Sequence, residues 1–248
     1  MSGSLQQVLR AMLQKFELRV PLTDADRQAL LNLPFAPRQF DASQFLIREG
    51  SSATNSALIV SGLAYRHKST VDGDRQILSF HVPGDFIDLE GSLLTVADHN
   101  VQALTRCELA LVPIGAVRQL LSNHPLLAQA MWVDTLIDAS VFREWIVNVG
   151  QRDARARIAH ILCEFACRLH LAGMSGPDGY ELPVTQEHLA DATGLTTVHV
   201  SRTLMGLERD GLVQRQKRFI TIPDWDKLKR AAGFNDLYLH LDQVKAAT

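Results

Sequence analysis

Arg202 is the residue of this chain whose chemistry packing explains least. It lies in Thr196-Thr197-Val198-His199-Val200-Ser201-Arg202, where Val200, Leu204 and Leu207 recur at helical spacing and occupy one face. Thr197, Val198, Ser201, Arg202 and Met205 then point the other way. A guanidinium so placed can donate a bidentate pair to guanine O6 and N7, worth about 1–3 kcal/mol of discrimination. Thr196, Thr197, Val198, His199 and Ser201 complete the candidate DNA-contacting set on this helix.

The stretch Pro183–Leu212 is what must position that face. Thr185 is a natural N-cap, with Val184 and Leu189 flanking it as a hydrophobic staple and Gln186 opening the first helix toward the same surface. Ala190 is small where two helices cross, Gly194 suits a left-handed turn, and Thr196 caps the second helix. The pattern is that of a helix-turn-helix. Downstream, Leu212 to Ile222 places Lys217 and Arg218 between apolar flanks, as in a two-stranded wing whose tip meets phosphates. Two such heads related by a twofold axis read an inverted repeat in double-stranded DNA, with half-sites about one turn apart.

The rest of the composition bounds the chain. Its 248 residues are 46% hydrophobic and 21% charged, with a formal charge of -2, which excludes a generally basic nucleic-acid coat protein but not a local basic face. Three cysteines (Cys107, Cys163, Cys167) are too few and odd in number for a disulfide framework, so a reducing cytoplasm is expected. The Cys163/Cys167 spacing puts both on one helix face, consistent with core packing or a redox role. No signal-peptide pattern and no run of 18 apolar residues is present, so no membrane association is expected.

Along the chain, Leu5 to Leu18 reads as an amphipathic helix, and Thr23-Asp24-Ala25-Asp26 caps a second helix that Pro34 and Pro37 end. From Gln39 to about Pro113 short apolar runs are fenced by turns at Glu49-Gly50, Ser61-Gly62, Asp72-Gly73-Asp74 and Pro83-Gly84-Asp85, which predicts a small antiparallel barrel or jelly roll. Ile114 to Leu121 is a short helix. Pro125 opens a long one to about Gly150 that is apolar nearly all round, through Met131, Trp132, Leu136, Ile137, Phe142, Trp145, Ile146 and Val149. One side is expected to pack on the barrel and the other on a second copy of the chain, which makes a homodimer the expectation, with burial inside one large monomer as the alternative. Gln151-Arg152-Asp153 marks a boundary, a helix runs from Ala154 to about Leu171, and a Gly/Ser/Pro loop spans Gly173 to Gly179. The tail from Trp225 to about Val244 reads as helical. The fold class is α+β: a sensor domain over 1–124, a dimerisation helix over 125–150 and a winged helix-turn-helix over 151–248.

These motifs resemble the Crp/Fnr superfamily of bacterial transcription regulators. Arg48-Glu49-Gly50, Ile59-Val60-Ser61-Gly62, Asp72-Gly73 and Pro83-Gly84-Asp85-Phe86-Ile87 fall where its cyclic-nucleotide-binding-type β-roll turns, and Gly194-Leu195-Thr196 with Val200-Ser201-Arg202 match the Fnr-like reading helix. The resemblance implies a homodimer that works with RNA polymerase and an effector pocket at Asp88, Leu89, His99 and Asn100. There, members that bind cyclic AMP carry Gly-Glu and Arg-Ser or Arg-Thr. Without that arginine and with Asp88 present, a cyclic phosphate finds little compensation, and cyclic-nucleotide binding is not expected. With no cysteine before Cys107, a four-thiolate iron–sulfur cluster in one subunit is not expected either. Haem stays open, since His67, His81, His99 and His124 lie in or beside the roll, without a matching ligand motif. Many members place glutamate where Val198 stands; valine contacts a thymine methyl instead of accepting from cytosine. Two rival readings are control without an effector or through a thiol such as Cys107, and a metal-dependent jelly-roll enzyme. The second lacks a His-x-His pair, a phosphate loop or a nucleophile elbow, so no catalytic and no metal site is assigned.

Overall fold

The computed structural model describes residues 3–176 and 178–241. Elements follow in the order α1 (Gly3–Glu17), α2 (Asp24–Leu31), β1 (Ala36–Phe40), β2 (Phe45–Ile47), β3 (Asn55–Ser61), β4 (Ala64–Ser69), β5 (Arg75–His81), β6 (Phe86–Ile87), β7 (Asn100–Ala103) and β8 (Cys107–Pro113). Then come α3 (Ile114–Asn123), α4 (Pro125–Gln151), α5 (Ala154–Leu171), β9 (Ser175–Gly176), β10 (Gly179–Glu181), α6 (Gln186–Thr193), α7 (Thr197–Arg209), β11 (Gln214–Gln216), β12 (Phe219–Thr221) and α8 (Trp225–Ala232).

The β elements before α3 form two four-stranded sheets, ordered β1-β8-β3-β6 and β2-β7-β4-β5. The expected jelly roll is present, and each of its turn glycines, Gly50, Gly62, Gly73 and Gly84, has a positive φ that only glycine adopts without strain. Gly62 also has no room for a side chain, since a Cβ there would lie 2.3 Å from the Arg106 carbonyl oxygen. Pro37 does not end a helix. It stands in β1, opposite Ala110, and is tolerated because β1 is an edge strand and its missing N–H interrupts no second ladder. The helix before it stops at Leu31 instead.

The chain divides into two compact units. One comprises Met1–Arg66, Phe80–Ser140 and His240–Thr248; the other His67–Ser79 and Val141–Leu239. The expected boundaries after residues 124 and 150 fall inside these units, and α4 runs unbroken from one to the other. The packing explains this: Leu127 and Met131 of α4 belong to the core of the first unit, whereas Trp145 of α4 donates its indole N–H to Glu164 on α5.

In the first unit α1 lays Leu5, Leu9, Met12 and Phe16 on a core shared with Leu58, Val60, Leu127 and Met131. Lys15 and Arg19 of α1 both pair with Asp134 of α4. Helix α2 starts at a full capping box between Thr23 and Asp26. The roll interior is a separate cluster around Phe40, Ile59, Ile87, Val101 and Leu109.

In the second unit α5 carries α6, α7 and α8, and the wing is wider than expected. Strand β9, inside the Gly173–Gly179 stretch read from sequence as loop, and β10, which starts at its last residue, extend the β11–β12 hairpin into a four-stranded sheet ordered β11-β12-β10-β9. Gly179 makes this possible: its φ is 144°, and a Cβ there would lie 2.1 Å from the Ile220 carbonyl oxygen. The Tyr180 hydroxyl donates to the Leu162 carbonyl and fastens the sheet to α5. The tail helix ends at Ala232, where Gly233 takes the left-handed cap, and a single 3-10 turn follows at Asp236–Leu239. The expected helical stretch from residue 242 to Val244 lies outside the described residues.

Candidate nucleic-acid interface

Local chemistry builds the reading head. Thr185 caps α6 by accepting from the His188 backbone N–H, and the His188 ring closes the box against the Thr185 N–H. Gly194 ends α6 at φ 65°, and the Thr196 hydroxyl then caps α7 by accepting from the His199 N–H. Thr185 and Thr196, both exposed, thus use their hydroxyl acceptors to orient the two helices. Val200, Leu204 and Leu207 are buried, as their spacing predicts, and Thr197, Val198, His199, Arg202 and Met205 are exposed while Ser201 is half-buried. Gln186 is exposed at the first turn of α6.

The charges around this face separate into two kinds. Arg215 holds Glu208 with two hydrogen bonds of 2.9 and 2.7 Å, and Arg155 holds Asp210 at 2.5 Å. These guanidiniums brace α7 from behind. Arg202, Lys217 and Arg218 have no ion-pair partner among the described residues and are exposed. Lys217 sits at φ 56° in the β11–β12 turn, so the wing tip presents two adjacent cations. An unpaired cation keeps its full charge for phosphate or a base edge.

Two features here escaped sequence reasoning. The hairpin segment His67–Ser79 belongs to the same compact unit as the reading head. Its Arg75 bonds Asp191 at 2.6 Å and Glu187 at 3.2 Å on α6. The Asp72-Gly73 turn is visible in the sequence, but nothing local pairs Arg75 with carboxylates more than a hundred positions away. The second feature is a cleft of about 400 Å³ beside α7, lined by Asp153, Arg155, His199 and Thr203.

Comparisons with known proteins agree with this geometry. The signature described as a Crp-like helix-turn-helix domain matches residues 156–231, and that described as a cyclic nucleotide-binding domain matches residues 37–124. The transcriptional activator protein FnrL of Cereibacter sphaeroides is 31% identical over 214 residues, spanning 85% of this chain and 86% of FnrL. The chain belongs to the Crp/Fnr family. The nitrogen fixation regulation protein FixK of Bradyrhizobium diazoefficiens is also 31% identical, over 70% of this chain and 72% of its own length. Among solved structures, FixK2 from Bradyrhizobium japonicum superposes with a TM-score of 0.76 at 22% identity, over 82% of this chain and all of FixK2, a likeness of fold. Like these Crp/Fnr relatives, the chain is a DNA-binding transcription regulator and not an enzyme. Among the described residues no helix is long and apolar enough to cross a membrane.

The Crp/Fnr roll of this chain has an unusual charge arrangement where an effector is expected. Asp88 is buried with a left-handed φ of 61°, Leu89 and His99 are buried, and the Asn100 side chain accepts from the Glu49 N–H at 3.0 Å. Sequence reasoning found no arginine for this place, yet β4 supplies one: buried Arg66 bonds Glu90 at 3.0 Å and stands 3.9 Å from Asp138 on α4. That guanidinium is already committed to carboxylates, so an incoming anion competes with Glu90 and Asp138. The His99 ring bonds Asp98 and lies 3.7 Å from Glu90; burial, and then Arg66, push its pKa down. Among the described residues no group of three or more His, Cys, Asp or Glu side chains is placed to hold a metal. Of the roll histidines weighed for haem, His124 bonds Asp26 at 2.9 Å and His81 stands 3.7 Å from Asp85. Three cysteines cannot supply four thiolates from one chain.

Burial and the neighbouring Glu90, partly offset by Arg66, raise the Asp88 pKa from its ordinary 3.8 to about 6. A carboxyl whose pKa is raised on folding contributes stability below its unfolded value, and that contribution is lost as pH rises through the folded value. The thermal midpoint is therefore expected to fall between about pH 4 and pH 6 through this group. Asp88→Asn, followed by circular dichroism across that range, is expected to flatten the slope. An unchanged slope assigns it to other groups.

Proposed function

We propose that this regulator works as a homodimer in the cytoplasm, reads an inverted repeat through α7, and contacts RNA polymerase at its promoters. Residues 1–124 act as the sensor, 125–150 as the dimerisation helix and 151–248 as the reading domain. The observation that carries the reading is Arg202, exposed and without an ion pair among the described residues, on a helix capped at Thr196. In this reading Arg202 contacts guanine, Val198 meets a thymine methyl, and Thr197, His199, Ser201 and Gln186 serve bases or phosphates. Thr185 and Thr196 aim the helices, and Lys217 and Arg218 bind flanking phosphate.

The dimer is supported by exposed apolar side chains on α4. Trp132, Leu136 and Ile146 are exposed, and with Ala139, Arg143 and Gly150 they recur at alternating steps of four and three. That is the spacing of a coiled-coil seam. Trp132 and Ile146 are each 68% exposed, more than a chain acting alone gains from leaving them in water.

The roll senses a signal other than cyclic AMP in its usual pose, because the place of the phosphate arginine holds His99 and the nearby Arg66 is held by Glu90. Control without an effector is a second reading, favoured by that internal pairing. Thiol control has less support. Burial raises the Cys107 and Cys167 pKa values to about 11 and that of Cys163 further, and the Cys107 thiol donates to the Leu63 carbonyl, which leaves little reactive thiolate.

Site selection from random DNA is expected to return an inverted repeat with one guanine per half-site, and Arg202→Ala is expected to weaken binding about 5- to 150-fold and relax that position. Retained guanine preference in the variant sinks the assignment. Opposite Val198 the selected base should depart from cytosine; a strong cytosine preference there counts against the valine reading. In sedimentation velocity, Leu136→Glu/Ile146→Glu is expected to run as a monomer and to lose the full repeat, whereas a persistent dimer moves the seam elsewhere. Calorimetry with cyclic AMP should show no micromolar binding, and such binding would overturn the account of the pocket.

A further inference from the structure

The roll holds a cavity that meets the Arg66 cluster at Asp88 and is otherwise lined by other residues. About 330 Å³ in volume, it lies over the inner face of the β1-β8-β3-β6 sheet, with β2 and the Ser51–Asn55 loop as its other wall. Its floor is apolar: Phe40, Ala57, Ile87 and Leu109 are buried, and Ile47 and Leu111 are half-buried. Its rim carries two guanidiniums. Arg38 lies 4.8 Å over the Phe40 ring and Arg48 3.8 Å over the Phe45 ring, both rings being part of the lining. Neither arginine has a carboxylate partner among the described residues.

This arrangement differs from that of ordinary surface cations. Arg66, Arg155 and Arg215, by contrast, each meet a carboxylate. Stacking on an aromatic face holds a guanidinium in place while leaving its N–H fork free, and that fork suits a carboxylate or a similar oxyanion. The sheet side of the cavity is apolar, the polar side chains Ser51, Ser52, Thr54 and Asn55 lie on the loop wall, and Asp88, also in the lining, opposes further negative charge near it. Charge therefore belongs at the rim and hydrocarbon inside. At the lower end of the usual range of about 300–1,000 Å³, the cavity suits one small molecule.

We propose that the roll cavity between β1 and β2 binds a small monoanionic amphiphile, its oxyanion seated on Arg38 and Arg48 and its hydrocarbon body on Phe40, Ile87 and Leu109. Only the regulatory consequence rests on the reading of the roll as a sensor. Binding itself is a property of residues 38–111 and is measured without DNA.

The test is isothermal titration of the full chain with decanoate, and with 1-decanol as the neutral molecule of equal length, both kept below aggregation. Decanoate is expected to bind one site per chain at least about tenfold tighter than 1-decanol. Arg38→Gln/Arg48→Gln is expected to bring decanoate down to the level of 1-decanol, and Arg38→Glu/Arg48→Glu to reverse the preference toward decylammonium. Both pairs of substitutions are at exposed positions, and circular dichroism reports their folding. Equal binding of decanoate and 1-decanol, indifference to the arginine substitutions, or the absence of a saturable site overturns the proposal. Anisotropy of labelled operator DNA with the same preparation is read separately: loss of DNA binding there strikes the regulator reading and leaves the cavity result standing.

Discussion

The buried carboxylate of Glu164 is the constraint on which the reading half depends. It accepts from the Trp145 indole at 2.9 Å and from the Tyr238 hydroxyl at 2.7 Å, and Arg168 stands 3.4 Å away. A single oxygen, Oε2, thus joins the end of α4, the middle of α5 and the turn after α8. A buried charge is tolerated only when its hydrogen bonds are made, and removing one partner of such a group costs about 3–5 kcal/mol. Around it, His160 stacks on Tyr238 and packs edge-on to Phe234. Burial drives the His160 pKa down to about 3, so the ring is neutral and adds bulk without adding a second charge. Helix α5 is therefore a fixed platform, and α6 and α7 inherit their positions from it.

On that platform the arginines divide by task. Arg155 and Arg215 close ion pairs that hold α7 in place, and Arg157 donates to the Thr193 and Arg152 carbonyls across the ends of α6 and α4. Arg202, Lys217 and Arg218 close none among the described residues. A net charge of -2 is compatible with DNA binding for this reason: attraction comes from where cations are left uncompensated, not from the total. The same logic separates Arg66, bound up with Glu90, from Arg38 and Arg48 at the mouth of the roll.

What was legible in the sequence is what local chemistry determines. Thr23, Thr185 and Thr196 act as caps because a hydroxyl and a backbone N–H three positions on are enough. Gly50, Gly62, Gly73, Gly84 and Gly194 mark turns because φ sterics act within one residue. The same locality places Val200, Leu204 and Leu207 inside and Arg202 outside. What was hidden depends on distant partners. Strands β9 and β10 are two and three residues long and carry no alternation; they exist because β12 offers a free edge and Gly179 lets it approach. Arg66 meets Glu90 and Asp138, Arg75 meets Asp191, and Arg38 shares a cavity with Arg48, in each case through the sheet topology and not through spacing.

Local rules are obeyed in one part of the chain and broken in another, and that contrast bears on where its individuality lies. The reading head has capped helices, a left-handed glycine and a buried stripe, all in agreement. The segment from Asp88 to His99 is otherwise. Asp88 takes a left-handed φ without being glycine, and a Cβ on Gly91 would lie 2.5 Å from that of Ala53. Buried His99 leaves Nε2 without a hydrogen bond among the described residues. The left-handed Asp88 costs on the order of 1–3 kcal/mol, and such costs persist where the arrangement serves something other than stability. Asp88 both lines the roll cavity and stands in the field of Arg66 and Glu90. The reading head thus follows from local chemistry, whereas the segment from Asp88 to His99 takes its arrangement from partners brought to it by the roll.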